Sequence, residues 1–221
     1  MRHSRILILA TAMIFSFQLS VSNSLQAQIT HTKAGAVDET AARVLGKAAD
    51  KMNTGSFSVP VTVVTYDANK KETFREKVTI TYKSPCYKVD AGGIELWCDG
   101  VNVWQVNKEA KEVVVSKMTD DDDDITNPAA LLANYQKNYR AKFIREENGV
   151  AIVDLQPKKS RTFHKMRLFI DTATGWLKKI EQHNYDSSRG EYTFGKRTLV
   201  KTSCEAFKYT APQGYEVVDM R

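Results

Sequence analysis

Apolar and polar residues alternate along most of the chain, in short runs separated by turn-forming residues. In Ile94–Val106, IELWCDGVNVWQV, two such runs flank Asp99-Gly100. Asp and Gly tolerate the positive φ of a tight primed turn, so this stretch predicts a β-hairpin. Upstream, Val37–Met52 carries Val37, Ala41, Val44, Leu45 and Ala48 at helical spacing, with Gly55 as a stop. Phe57, Val59, Val61 and Val63 then alternate as a strand. Pro60 lacks an N–H and points to an edge position or a bulge there. Past a turn at Asp67–Lys71, a second strand sets Phe74, Val78, Ile80 and Tyr82 on one face and breaks at Ser84-Pro85.

Glu112–Met118 reads as another strand, followed by the acidic run Asp120–Asp124. Thr126–Asn138 predicts a short helix, with Asn127 as cap and Pro128 in the first turn. Further strands are expected over Arg140–Ile144, Val150–Gln156, Phe163–Asp171, Trp176–Tyr185, Tyr192–Lys201 and Ala206–Thr210. Roughly ten or eleven short strands with regular turns describe an all-β barrel or sandwich.

The 221 residues suit a single domain. The start is set apart from it. Arg2 and Arg5 precede the apolar run Ile6–Phe17, and Gln18–Ala27 is polar with small residues, the pattern of a secretory signal peptide cut after Ala27. Residues 1–27 are thus a signal peptide and residues 28–221 one exported domain. Removal of the leader leaves 30 basic and 26 acidic residues, a net charge of +4. This is well short of a nucleic-acid-binding signature.

The three cysteines, Cys86, Cys98 and Cys204, cannot all pair within one chain. Cys86 and Cys98 are symmetric about Gly92, so a hairpin with a three-residue Ala91-Gly92-Gly93 loop would set them opposite each other at disulfide distance. Two buried free thiols are the alternative. His31, His164 and His183 have no metal-ligand spacing, and the chain has no CxxC, phosphate-cradling glycine loop or nucleophile elbow, so no metal, cofactor or enzymatic activity is indicated. Asp120–Asp124 lacks the alternating ligands and central glycine of a calcium loop and reads as solvated. Lys158, Lys159, Arg161, Lys165 and Arg167 form a basic stretch, either simply solvated or suited to docking a membrane transporter or anionic headgroups.

Several short motifs together resemble the periplasmic outer-membrane lipoprotein carrier family, LolA. They are the first helix leading into SFSVPV, Lys83-Ser84-Pro85 where the family usually has Lys-Arg-Pro, the block CDGVNVWQVN with Asp99, Gly100 and Trp104, Asn127-Pro128 followed by Leu131-Leu132, Leu155-Gln156-Pro157, and FKYTAPQGYEVVDMR. The resemblance implies an unclosed, strongly curved antiparallel β-barrel with an N-terminal helix and a short lid helix over an apolar cavity for acyl chains. Alternation alone favours a filled core. The resemblance instead makes Phe57, Val59, Ile80, Tyr82, Tyr87, Leu96, Trp97, Trp104 and Leu168 the candidate cavity walls, with Pro128, Ala129, Leu131 and Leu132 in the lid. Ser84 departs from the family, whose arginine at this place is thought to hold the lid shut.

The implied role is that of a monomeric periplasmic chaperone, without a cofactor. It would accept acylated lipoproteins from an inner-membrane lipoprotein-releasing ABC transporter and hand them to an outer-membrane acceptor. A lipid- or lipoprotein-sensing regulatory module on the same fold is the alternative.

Overall fold

The structure, a computed structural model, describes residues 37–118, 128–159 and 162–221. The expected leader, His31, the acidic run Asp120–Asp124, the cap Asn127 and Arg161 lie outside the described residues.

Helix α1 (Glu39–Asn53) starts where Asp38 accepts the N–H of Ala41 at 2.9 Å. It buries Ala41, Val44, Leu45, Ala48, Ala49 and Met52, one stripe at helical spacing. Val37, expected on that stripe, precedes the cap and is exposed. Strands β1 (Phe57–Tyr66), β2 (Glu72–Lys83), β3 (Cys86–Ala91), β4 (Ile94–Cys98), β5 (Asn102–Asn107) and β6 (Glu112–Lys117) follow as a meander. Helix α2 (Pro128–Asn138) leads into β7 (Tyr139–Glu147), β8 (Val150–Pro157), β9 (Phe163–Asp171), β10 (Leu177–Asn184) and β11 (Arg189–Phe194). Two short strands complete the chain, β12 (Thr198–Leu199) and β13 (Glu216–Asp219).

All thirteen strands belong to one sheet, in the order β13–β6–β5–β4–β3–β2–β1–β11–β10–β9–β8–β7, with β12 beside β1. Neighbours are antiparallel except β13, which runs parallel to β6. The two ends do not pair, so the curved sheet stays unclosed. Both helices pack on its inner face, and their buried side chains join those of β1–β4 and β7–β10 in one core. Asp38 links the layers. Its second carboxylate oxygen accepts the N–H of Phe143 at 2.8 Å, where β7 bulges between Phe143 and Arg145. These backbone hydrogen bonds, those from Ala41 foremost, hold the Asp38 carboxyl below its ordinary pKa.

Several sequence expectations shift by a residue or two. Pro60 is neither at an edge nor in a bulge of its own strand, since it pairs with Thr79 of β2. Its missing N–H falls instead where the neighbouring strand breaks between β11 and β12, and Gly195 donates to the Pro60 carbonyl at 2.8 Å. A Cβ on Gly195 would lie 2.9 Å from the Pro60 ring, which restricts that position to glycine. The central hairpin forms, but its loop is Gly100-Val101 rather than Asp99-Gly100. Gly100 has φ +91°, as the first central residue of a type II′ turn requires, and Asp99 Oδ1 accepts the N–H groups of Val101 and Asn102. The strand expected at Ala206–Thr210 is a 3₁₀ turn, Cys204–Phe207, followed by extended chain.

The cysteine pairing also differs. Cys86 bonds to Cys204, and Cys98 is a buried thiol outside the disulfide. The β3–β4 loop has two residues, Gly92-Gly93, so Ala91 faces Ile94 and Tyr87 faces Cys98. A shift of one residue exchanges the faces of a strand, and Cys86 therefore points away from the side that Cys98 occupies. By loop-closure entropy, a cross-link spanning this much chain stabilises the fold by about 5 kcal/mol.

This pairing is checked by thiol counting under denaturing, non-reducing conditions on protein prepared oxidised. Cys98→Ser is expected to show no free thiol and Cys204→Ser two. A persistent disulfide in Cys204→Ser would restore the 86–98 pairing.

Candidate functional site

The inner face of the sheet gathers seven of the nine expected wall residues. Phe57, Val59, Ile80, Tyr82, Tyr87, Leu96 and Leu168 are all buried in the core that contains α1 and α2, with exposures of 0–7%. The Phe57 ring lies 5.7 Å from Tyr82 and meets Trp176 edge-on at 5.2 Å. Much of the wall comes from residues that the sequence reading passed over. They are Val153 and Leu155 on β8, Met166 and Ile170 on β9, and Ile180 on β10. Cross-strand register sets Val153, Leu168 and Ile180 side by side across three strands. The period-two pattern of β9 carried that signal, while the nearly continuous apolar run of β8 hid which residues face inward.

Trp97 and Trp104 do not belong to this wall. They oppose each other across β4 and β5 and sit with Val106, Val113 and Val115 in a separate cluster on the outer face. Leu96 and Trp97 are adjacent in one strand, so only one of them can point inward. The C-terminal segment covers the outer cluster with Tyr209, Ala211 and Tyr215, the Tyr209 ring 5.5 Å from Trp97. Beside it lies a nearly buried acid. Glu95 is 7% exposed, bonds Lys88 (2.9 Å) and Lys108 (2.8 Å), and accepts the Trp97 indole N–H at 3.0 Å. Burial works to raise its pKa, but the two lysines and the indole prevail and hold it at about 2.

The expected lid residues Pro128, Ala129, Leu131 and Leu132 are buried on α2, with Tyr135, against α1 and the inner face. The two helices are held differently. Besides the Asp38 link, Lys47 of α1 donates to the carbonyls of Thr172 and Ala173 in the β9–β10 turn. At the far end of α2, Lys158 donates to the Gln136 carbonyl through its ammonium and to Asn138 through its backbone N–H. Ser84, just past the end of β2, lies beside the buried Tyr82 phenol, whose pKa burial raises and the serine side chain works to lower. Of the expected basic stretch, Lys158 is engaged with α2, and Arg167 forms a two-pronged pair with Asp154 at 2.7 and 2.9 Å. Among the described residues no group of three His, Cys, Asp or Glu is placed to hold a metal ion.

Comparison with known proteins assigns this apolar inner face with its helical cover to a family. The sequence profile of the outer membrane lipoprotein carrier protein LolA matches residues 92–210, more than half of the chain. The chain belongs to the LolA family. No curated protein matches the sequence. Among solved structures, an uncharacterized conserved protein from Thermus thermophilus has a TM-score of 0.57 at 11% identity, over 81% of this chain and 99% of its own. A LolA superfamily protein from Nitrosomonas europaea gives 0.44 at 14% identity over 76% and 97% of the two chains. MucB of Pseudomonas aeruginosa, in its complex with MucA, gives 0.41 at 13% identity over 78% and 62%. At 11% identity, the likeness to the Thermus protein shows a common fold and nothing further.

Glu95 provides a pH test of the outer cluster. A carboxylate whose folded pKa is depressed from 4.5 to about 2 contributes stability that is present above the unfolded pKa and lost as pH falls between them. Glu95→Gln is therefore expected to lower unfolding stability by about 2–3 kcal/mol near neutral pH. The gap should close as pH falls toward 2 in paired urea titrations. A gap independent of pH would mean that the carboxylate charge contributes nothing.

Proposed function

We propose that this LolA-family protein is a periplasmic carrier that shields the acyl chains of lipoproteins between the inner and outer membranes. The observation that carries this reading is the cover over the inner face, which consists of two helices rather than a second sheet. Helix α2, which runs straight into β7 at Tyr139, can swing about that junction without breaking a strand ladder. In the structure the helices fill the place that acyl chains would take, so loading exchanges the apolar contacts of α2 for those of the cargo. Each methylene buried is worth about 0.8 kcal/mol, and a long acyl chain offers on the order of 10 kcal/mol to offset the displacement.

In this reading α2 is the moving element and α1 the fixed one, since Asp38 and Lys47 fasten α1 to β7 and to the β9–β10 turn. Phe57, Val59, Ile80, Tyr82, Tyr87, Leu96 and Leu168 line the acyl site, and Pro128, Ala129, Leu131 and Leu132 close it. A lipoprotein-releasing ABC transporter of the inner membrane supplies the cargo, and an outer-membrane acceptor removes it by binding the chains more favourably. The work is binding alone, with no bond made or broken.

An environment-sensitive hydrophobic dye is expected to bind the mature protein and to be displaced by a triacylated lipopeptide at micromolar concentration. Binding of neither at that concentration overturns the carrier reading. Binding of lipopeptide without its release to outer-membrane vesicles would favour the sensing alternative.

Residue 84 tests the lid separately. Serine brings one hydroxyl donor where the family's arginine brings five in a rigid fork. Restoring it with Ser84→Arg is expected to favour the closed lid by about 1–3 kcal/mol, the range for hydrogen bonds to a charged group. Dye binding to the empty protein and hydrogen exchange in α2 should both fall. Equal values in the two proteins would show that position 84 does not control the lid.

A further inference from the structure

Five cation–aromatic contacts occur among the described residues, and they divide into two kinds. Lys88 over Trp97, Lys179 over Phe169 and Arg189 over Tyr66 each also pair with an acid, Glu95, Glu181 and Glu191 respectively. The other two converge on a single indole. Arg197 stacks on Trp176 at 3.5 Å and Lys51 approaches the same ring at 5.5 Å. The side chains of Arg197 and Lys51 have no hydrogen-bond or ion-pair partner among the described residues. Asp171 attracts Arg197 from a distance, but its carboxylate is engaged by Thr174 and faces Lys178 at 3.6 Å.

The surroundings of Trp176 add charge and apolar surface together. Lys196 precedes Arg197, and Lys201 follows two residues after Leu199, both lysines exposed and unpaired among the described residues. Leu199 is 82% exposed, the most exposed large apolar residue in the described structure. It pairs with Phe57 across β1 and β12, and the Phe57 ring touches Trp176. One strand spacing therefore separates Leu199 from the aromatic pair beneath the two cations. Val200 is hydrogen-bonded to Ser56 through both its N–H and its carbonyl, which fixes this edge to the end of α1.

We propose that Lys51, Lys196, Arg197 and Lys201, with Leu199 and Trp176, form a peripheral docking surface for an anionic phospholipid membrane. Unpaired cations around a protruding leucine and a partly buried indole suit an interface with negative headgroups outside and acyl carbon just below. A small soluble anion would use the cations and leave Leu199 without a role. A protein partner with an acidic face would meet the cations without needing an exposed leucine amid them. The inference is independent of the cargo reading, because none of these residues belongs to the proposed acyl site or lid. It also moves the membrane-facing charge away from the 158–167 stretch, where Lys158 and Arg167 are already engaged.

The test is flotation of the mature protein with phosphatidylcholine vesicles, with and without phosphatidylglycerol. Binding is expected only to the phosphatidylglycerol vesicles and should fall steeply with salt. Lys196→Gln/Lys201→Gln touches no packed side chain and should weaken partitioning about five-fold for each charge removed. Leu199→Ser should weaken it while leaving the salt dependence unchanged. Lys159→Gln should have no effect. No binding to anionic vesicles at low salt, equal binding to neutral ones, or full binding by the Lys196/Lys201 variant would each overturn the proposal. A requirement for Lys159 instead would do the same. The result separates from the cargo reading, since dye displacement by lipopeptide needs no vesicle.

Discussion

Neighbouring side chains on a strand cannot share a face, and this constraint arranges most of the molecule. A single sheet this wide has two faces to satisfy. Along β2, β9 and β10 the buried apolar residues face inward and the outer face is largely polar or charged, so helices on one side and water on the other suffice. In β4–β6 both faces carry apolar residues, Leu96 and Cys98 inward, Trp97, Trp104, Val113 and Val115 outward. That half of the sheet needs a second cover, which the C-terminal segment supplies. The apolar inner face and the outer aromatic cluster are thus two consequences of one strand period.

The sequence made the architecture legible wherever the period was clean. The amphipathic stripe of α1, the alternation in β1 and β2 and the Asp-Gly turn all predicted elements that formed. Face assignment failed where it depended on a loop of unknown length. Taking Gly92 as the hairpin centre, instead of the bond between Gly92 and Gly93, moved Cys86 to the wrong side and concealed its partner 118 residues away. Trp97 and Trp104 were misplaced for a related reason. Large apolar residues invite assignment to a cavity, and nothing local signals that distant Tyr209 and Tyr215 wait to cover them. Strand β13 escaped notice because EVVD is short and half acidic, and its parallel pairing with β6 is a purely long-range matter.

Charge was similarly opaque in one dimension. The run from Lys158 to Arg167 reads as a basic patch, yet β8 and β9 bring Asp154 against Arg167 and consume that charge inside the sheet. Lys51 in α1 and Arg197 after β11 lie 146 residues apart, and only the fold brings both to one indole. Unspent charge is a property of the folded surface, and it emerges after the ion pairs are assigned.

The bond between Cys86 and Cys204 has a consequence for the last residues of the chain. Because Cys204 is fixed to β3, a departure of β13 from β6 releases a short leash rather than a free terminus. Re-pairing is then an intramolecular search over the few residues between the bond and Glu216, at high effective concentration and independent of protein concentration. The exposed Val217, Val218 and Met220 gain little from staying in place, so the hold on the edge comes chiefly from the parallel ladder and the tether behind it. Reduction would lengthen that leash to the whole segment after β12, and the outer aromatic face would then be guarded by a cover on a longer tether.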